Sequence, residues 1–495
     1  MSSPPPQPSL LSTTALTHPC RTLTAAFVVW KFVLLLIAIG AVLAGEAYDT
    51  SANIVILGTN ATTPATQQPS LFSRLVARLT SWDAIYFTSI ARDGYVHEQF
   101  WAFGSGLPGV VRGVLKASQS LGLITPSSPN HSLLPESLIA ITTANTAHLL
   151  SAFILHRLGA LLFPRQQQHP SPIPLIAALL HILSPAGLFL SAPYSESSFA
   201  LLSFVGYLLF ALAHHHQHDG ARRDAYTLAA GVVFGAATVF RSNGVLNGLL
   251  FAWEGARILP GLGRRNVSVR ERVGVVRRLV VLGIAGVCVA LGTVVPQAVA
   301  YRRFCLSGSG DGEGKEVREW CGRWVPSIYA FVQAYYWNTG FLRYWTVSNL
   351  PLFLLAAPML TILVVSGVAQ LKGGGVVTTP SSSAETSAPP EKKNPTTPTT
   401  STPSSATSSQ QERFTSLLTS AAAAQVLLAI LALTSYHVQI ITRLSSGYPL
   451  WYWWVAGKLV SSEERDRVLA NRIVMFMVMY AAVQGVLFAS FLPPA

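Results

Sequence analysis

Apolar runs long enough to cross a bilayer recur along most of this chain, separated by short polar loops. A hydrocarbon core about 30 Å thick takes roughly 20 helical residues to cross. Runs near that length fall at 23–44, 137–163, 172–191, 197–213, 225–241, 243–259, 279–300, 349–370, 414–434, 449–460 and 473–491, the tenth being short. The pattern predicts an all-α polytopic membrane protein with about eleven transmembrane helices. Residues 1–22 read as a cytosolic tail and 23–371 as a membrane-embedded core whose first luminal loop is 45–136. The Ser/Thr/Pro-rich stretch 372–411 has too few apolar residues to order itself and reads as a disordered cytosolic linker; 412–495 returns to the same core.

Composition agrees with this reading: only 11% of the 495 residues are charged, and the mean hydropathy is +0.42. An ordinary soluble domain is roughly 25% charged. The net charge of +13 does not point to nucleic acid, because the basic residues sit in short loops between apolar runs and not on one polar face. With the N-terminus cytosolic, the inner loops carry Arg157 and Arg165, Arg222 and Arg223, the run Arg257 to Arg278, Lys392 and Lys393, and Lys458 to Arg472, as the positive-inside rule requires. Residues 45–136, 192–196, 241–243, 301–348 and 435–448 then face the lumen, where chemistry is to be sought. The sequons at Asn60 and Asn130 fall on that side, and the one at Asn266 on the other. Cys305 and Cys321 share one luminal loop, so an oxidising compartment permits a disulfide, with two free thiols as the alternative.

Four stretches carry candidate chemistry. SWDAIYFTSIARDGYVHEQFWAF (81–103) sets Asp83, Asp93 and Glu98 among the aromatics Trp82, Tyr86, Phe87, Tyr95, Phe100, Trp101 and Phe103. Such aromatics suit helices lying at the membrane interface. On a helix Asp83 and Tyr86 share a face, and Glu98 follows beyond the Gly94 break. A carboxylate at an apolar interface has the raised proton affinity that a general base or acid needs; the alternative is that these acids pair with Arg92 on a solvated loop. SAPYSESS (191–198) leaves Tyr194 and Glu196 at a junction between apolar runs, either lining a site or making a plain inter-helix turn. FRSNG (240–244) places Arg241 and Asn243 in an apolar stretch; an arginine there demands a partner, and a guanidinium binds phosphate through two parallel hydrogen bonds. PSIYAFVQAYYWNTGFLRYW (326–345) interleaves Gln333, Trp337, Asn338 and Arg343 with aromatics, a mixture that suits sugar recognition as well as an interfacial belt.

The HHHQH run at 214–218 lies in a short cytosolic loop without a cysteine, so no metal site is expected. No Gly-rich phosphate loop or Walker pattern occurs, which argues against a nucleotide-sugar enzyme and an ATP-driven pump.

Taken in order, SWDAIYFTSIARDGY, EQFWAF, FRSNG, YAFVQAYYWNTGFLRYW with NLPLFLLAAP, and HVQIITR with YPLWYWW resemble the family of mannosyltransferases that add the second mannose to the glycosylphosphatidylinositol (GPI) precursor. Where that family usually carries an aromatic-proline pair, this chain has Gly104 and Ser105. The resemblance implies a glycosyltransferase C fold with luminal interfacial helices in the endoplasmic reticulum membrane. It also implies dolichyl phosphate mannose as donor, an α-1,6 linkage on the GPI lipid precursor, no cofactor, and a possible small accessory membrane subunit. Asp83 takes the place of the catalytic base, with Glu98 as a second catalytic candidate supported by Gln99. Arg241 and Arg443 are candidates for the donor phosphate. Trp82, Tyr86, Tyr194, Glu196, Asn243, Gln333, Trp337, Asn338 and His437 complete the substrate-binding set. The rival readings are another dolichyl-phosphate-mannose-dependent mannosyltransferase, acting on protein or on dolichol-linked oligosaccharide, and a lipid or solute transporter. Lys31, inside the first apolar run, has no role in any of them.

Overall fold

Helices appear where the apolar runs predict them. The computed structural model describes residues 13–57, 69–123, 132–163, 171–263, 268–306, 318–373 and 405–492. Among them the longer helices are α1 (Pro19–Ala44), α2 (Leu71–Leu79), α3 (Asp83–Asp93), α4 (Gly106–Ser120), α5 (Leu134–Leu162), α6 (Ile173–Ile182), α7 (Glu196–His215) and α8 (Gly220–Phe240). They continue with α9 (Leu249–Ile258), α10 (Val269–Tyr301), α11 (Ile328–Trp337), α12 (Leu350–Leu371), α13 (Ser405–Thr434), α14 (Leu450–Leu459) and α15 (Glu464–Ala489). No strand occurs among the described residues. Arg165, Lys392, Lys393 and the sequon residues Asn60, Asn130 and Asn266 lie outside them.

Seven of these helices are long and apolar enough to cross a membrane: α1, α5, α7, α10, α12, α13 from Phe414 onward, and α15. The other four expected spans are helical but different in kind. α8 has the length, at 21 residues, but opens on Arg222, Arg223 and Asp224. α6, α9 and α14 have ten residues each, about 15 Å, or half the hydrocarbon thickness. A half-length helix survives at membrane depth when protein surrounds it, and α14 meets that condition: Trp451, Tyr452 and Trp453 are all fully buried. Of the expected 372–411 linker, 374–404 lies outside the described residues, and α13 begins at Ser405, inside the expected linker.

Lipid tails are as apolar as leucine, so helices in a membrane associate through close packing, which small residues permit. α8 lies between α7 and α10. Its Gly231 and Gly235, one turn apart, form the seam with α10: a Cβ on Gly231 would stand 2.6 Å from Ala285 Cα, and one on Gly235 would meet the Cys288 carbonyl. From the other side, a Cβ on Gly292 would stand 2.7 Å from Thr238 Cβ. The seam draws the second half of α10 against the end of α8, where one wall of the site is built.

The segment before α4 also requires glycine. A Cβ on Gly104 would lie 2.6 Å from the Val239 carbonyl oxygen and would overlap that of Phe240, and one on Gly106 would enter the Phe240 ring. Gly104 is thus what lets this segment touch the last turn of α8. Lys31 also has a structural role. Its ammonium donates to the Leu190 carbonyl at 3.2 Å and to Ser191 Oγ at 2.7 Å, tying α1 to the turn between α6 and α7.

Gly104→Ala overpacks a backbone contact and is expected to destabilise by about 1–3 kcal/mol. Gly109, inside α4 with nothing within 4 Å of its missing Cβ, is the control: Gly109→Ala should be neutral or slightly stabilising. Thermal unfolding of the purified variants in detergent compares the two, and equal melting temperatures would refute the contact.

Candidate active site

The site grows from the turn between α2 and α3. Thr80 and Ser81 are fully buried, and Trp82 adopts φ 58°, an uncommon conformation for a bulky residue. The Trp82 ring lies 4.9 Å from that of Phe491. The turn makes Asp83 the first residue of α3, where the helix dipole favours a carboxylate. The Asp83 side chain is 39% exposed and accepts a hydrogen bond from Arg443 Nη1 at 3.1 Å.

Arg443 comes from a one-turn helix, Ile441–Leu444, between α13 and α14. Its guanidinium lies 4.7 Å from the centre of the Phe189 ring and 5.3 Å from that of Tyr194, two cation–π contacts. Tyr194 donates its hydroxyl to the Ser81 carbonyl at 3.2 Å, fastening this platform to the Asp83 turn. Glu196 opens α7 with no exposure at all; its Oε1 is 2.6 Å from Arg241 Nη1 and 3.8 Å from Arg443 Nε. Arg241 follows the last residue of α8 in an extended conformation. Asp83, Arg443, Glu196 and Arg241 thus form a row of alternating charge drawn from four distant parts of the sequence.

Burial alone lowers the proton affinity of Arg443, but Asp83 and Glu196 outweigh it, so the pKa is raised and the cation is secure. His437 is pushed the other way. Burial lowers its pKa, Asp83 opposes this in part and Arg443 adds to it, leaving a neutral imidazole at pH 7.

A cavity of about 700 Å³ opens beside this row, between the end of α8, the second half of α10, α11 and the 436–444 segment. Among the expected site residues, Trp82, Asp83, Tyr194, Arg241, Asn243, Gln333, Trp337, His437 and Arg443 line it. Asn243 is fixed through Tyr448: its Nδ2 donates to the Tyr448 hydroxyl at 3.3 Å, and that hydroxyl donates back to the Asn243 carbonyl at 3.2 Å.

The remaining expected residues stand elsewhere. Glu196 lies behind the lining. Tyr86 stacks on Phe103, their ring centres 4.6 Å apart. Glu98 and Gln99 share a short turn, 98–102, in which Glu98 accepts from Arg318 Nη1 at 3.1 Å and from Trp320 Nε1 at 3.5 Å. Asn338 caps α11 in the left-handed region, φ 48°, and is exposed. Asp93 pairs with Arg92 at 3.2 Å, so the loop-decoration reading describes that acid and not Asp83.

Cys305 and Cys321 are bonded, Cα to Cα 5.8 Å, and neighbouring Trp320 packs with Trp101, Ala300, Ile328 and Val332 beneath the cavity wall. In the histidine run, His214 packs edge-on against Phe210 and His216 stacks on Tyr226. Among the described residues, no three His, Cys, Asp or Glu side chains converge as metal ligands.

The sequence reading missed Phe189, Gln297 and Gln439, all of which line the cavity. Gln439 stands two residues from His437 inside HVQIITR and was open to inference. Phe189, inside an apolar run, gave no signal.

Comparison with known proteins follows the same lines. The sequence matches the mannosyltransferase (PIG-V) family over residues 21–495. A GPI mannosyltransferase 2 from Chaetomium globosum is 51% identical over 493 residues, 97% of each chain. Another from Gibberella zeae is 40% identical over 97% of this chain and 98% of its own. A rat GPI alpha-1,6-mannosyltransferase 2 is 32% identical over 61% of this chain and 59% of its own. Among solved structures, the oligosaccharyltransferase of Archaeoglobus fulgidus tethered with an acceptor peptide aligns over 97% of this chain and 56% of that one, at 11% identity and a TM-score of 0.43. With the family match running from the first span to the last residue, this chain belongs to the mannosyltransferase (PIG-V) family.

Proposed function

We propose that this chain transfers the second mannose, in α-1,6 linkage, from dolichyl phosphate mannose to the GPI precursor at the luminal face of the endoplasmic reticulum membrane. The observation that carries the reading is that one cavity is lined both by a half-exposed carboxylate, Asp83, and by two guanidinium groups, Arg241 and Arg443. In the proposed reaction the acceptor hydroxyl attacks C1 of the mannosyl group from the face opposite the phosphate. The C1–O bond to phosphate breaks, its electron pair leaves with dolichyl phosphate, and the hydroxyl proton passes to Asp83. A β-linked donor gives an α-linked product, so the reaction inverts and one carboxylate base suffices, unlike the pair in a retaining hydrolase. The arginines hold the phosphate, and the proposal includes no cofactor.

Two features support the luminal side. The bonded Cys305 and Cys321 flank Trp320, which packs with the cavity-lining Trp101, so the disulfide and the site lie at one end of the bundle. α8 runs from Arg222 and Arg223 to Phe240, about 26 Å away at the cavity, which puts these arginines at the opposite end. Disulfides mark an oxidising compartment and arginines the cytosolic face. The exposed apolar faces of α1 and α10, such as Val28, Val29, Val280 and Val287, face lipid or a small accessory membrane subunit.

Asp83→Asn keeps shape and loses basicity, so transfer should fall by about 10²–10⁴-fold while the protein accumulates normally. Glu98→Gln, whose partner Arg318 lies outside the cavity lining, should be much milder. Turnover of purified variants in liposomes with saturating donor measures both; a near wild-type rate for Asp83→Asn would remove it from the reaction.

Cys305→Ser and Cys321→Ser should each lower stability, by about 3 kcal/mol on the loop-entropy account for a loop of this length. The reading is checked by alkylating folded enzyme before and after reduction: both thiols should react only after reduction.

A further inference from the structure

We infer that Glu196 is a positioning residue for the donor phosphodiester: it holds Arg241 and Arg443 as a pair at the cavity wall and touches no substrate itself. The inference rests on the reading of the cavity as the donor site and names a residue behind it.

Glu196 has zero exposure and is absent from the cavity lining, whereas both arginines line it. Its charge is met by guanidinium groups alone: Oε1 lies 2.6 Å from Arg241 and 3.8 Å from Arg443, and among the described residues no hydroxyl or amide donates to either oxygen. A carboxylate carried so deep without other partners is retained only with cations beside it. Placed between two like charges, it lets two guanidinium groups share one end of the cavity without driving each other apart.

The fold supports each position independently. Glu196 begins α7, where the helix dipole favours an acid. Ser197, the next residue, donates its hydroxyl to the Leu190 carbonyl at 2.9 Å, the same carbonyl that Lys31 holds. Asn145 donates to the Ser191 carbonyl at 3.2 Å. The turn preceding Glu196 is therefore fastened from α1, α5 and α7, and it carries Phe189 and Tyr194, the rings against Arg443. A guanidinium presents donors in a fixed fork, and two forks at one wall fit the two free oxygens of a singly charged phosphodiester.

The test uses the full-length enzyme in liposomes, with dolichyl phosphate mannose and a one-mannose GPI acceptor varied separately. Glu196→Gln should raise the donor KM by about 10- to 100-fold, the range that loss of an outer partner costs at metal ligands. It should leave the acceptor KM unchanged and lower kcat less than the donor KM rises. Because Glu196 acts through the two arginines, the double variant Glu196→Gln/Arg241→Gln should raise the donor KM by less than the product of the two single effects. If Glu196→Gln fails to accumulate, Glu196→Asp, which keeps the charge and moves it by one methylene, carries the same KM comparison. An acceptor KM that rises in place of the donor KM, effects that multiply in the double variant, or wild-type donor KM in a folded variant would each overturn the assignment. These outcomes separate from failure of the underlying reading: full activity in Asp83→Asn removes the proposed base, whereas a wild-type Glu196→Gln beside an inactive Asp83→Asn removes only the positioning role.

Discussion

Two carboxylates and two guanidinium groups share one site inside an apolar helix bundle, and that constraint fixes much else. The charges of Asp83, Glu196, Arg241 and Arg443 sum to zero, and neighbours in the row stand 2.6–3.8 Å apart. Breaking a buried pair by removing one partner costs about 3–5 kcal/mol, because the other charge is left without compensation. Glu196, with no exposure and with Arg241 at 2.6 Å and Arg443 at 3.8 Å, is the member of the row closest to that limit. The row therefore cannot tolerate a shift in any one of its supports: the α2–α3 turn, the start of α7, the end of α8 and the 441–444 helix must arrive together.

Their arrival depends on backbone proximity more than on bulk. The glycines of α8 and α10 let two helices meet at their backbones, and Gly104 lets the segment before α4 reach the final carbonyls of α8. Half-length helices serve the same end. Because α6, α9 and α14 stop partway, irregular segments such as 184–195 and 435–448 sit inside protein, where they can present Phe189, Tyr194, His437 and Arg443 sideways into a cavity. A bundle of uninterrupted spans would have no such interior turns.

The sequence disclosed the class of fold and nine residues of the cavity lining, its charged members among them, for a physical reason. A polar residue in an apolar run is costly, so each one, from Asp83 and Tyr194 to Arg241 and Arg443, marked a place that needed explanation. What the one-dimensional pattern did not hold was pairing. Arg241 called for a partner, and that partner is Glu196, 45 positions earlier and at the head of another helix. Glu98 drew attention by its neighbours in the chain, yet its contacts are Arg318 and Trp320 across the fold. The number of full spans was equally hidden: hydropathy treats a ten-residue helix followed by an apolar turn like one continuous helix, as 172–191 did. Nor could the need for glycine at 104 be read from the chain, since its reason is a carbonyl more than a hundred residues away.

The bridge between Cys305 and Cys321, with the Glu98–Arg318 pair beside it, clamps the segment after α10 onto the turn that bears Trp101. One wall of the cavity is thus braced from behind by a covalent bond that no ribosome makes. A newly inserted chain can carry every reactive side chain in place and still own an unfinished cavity until an oxidant reaches that loop. Inserting the helices and bracing this wall are consequently separate chemical steps. In a foreign host, the yield of working enzyme would follow the thiol chemistry around the loop, even where every helix had been inserted correctly.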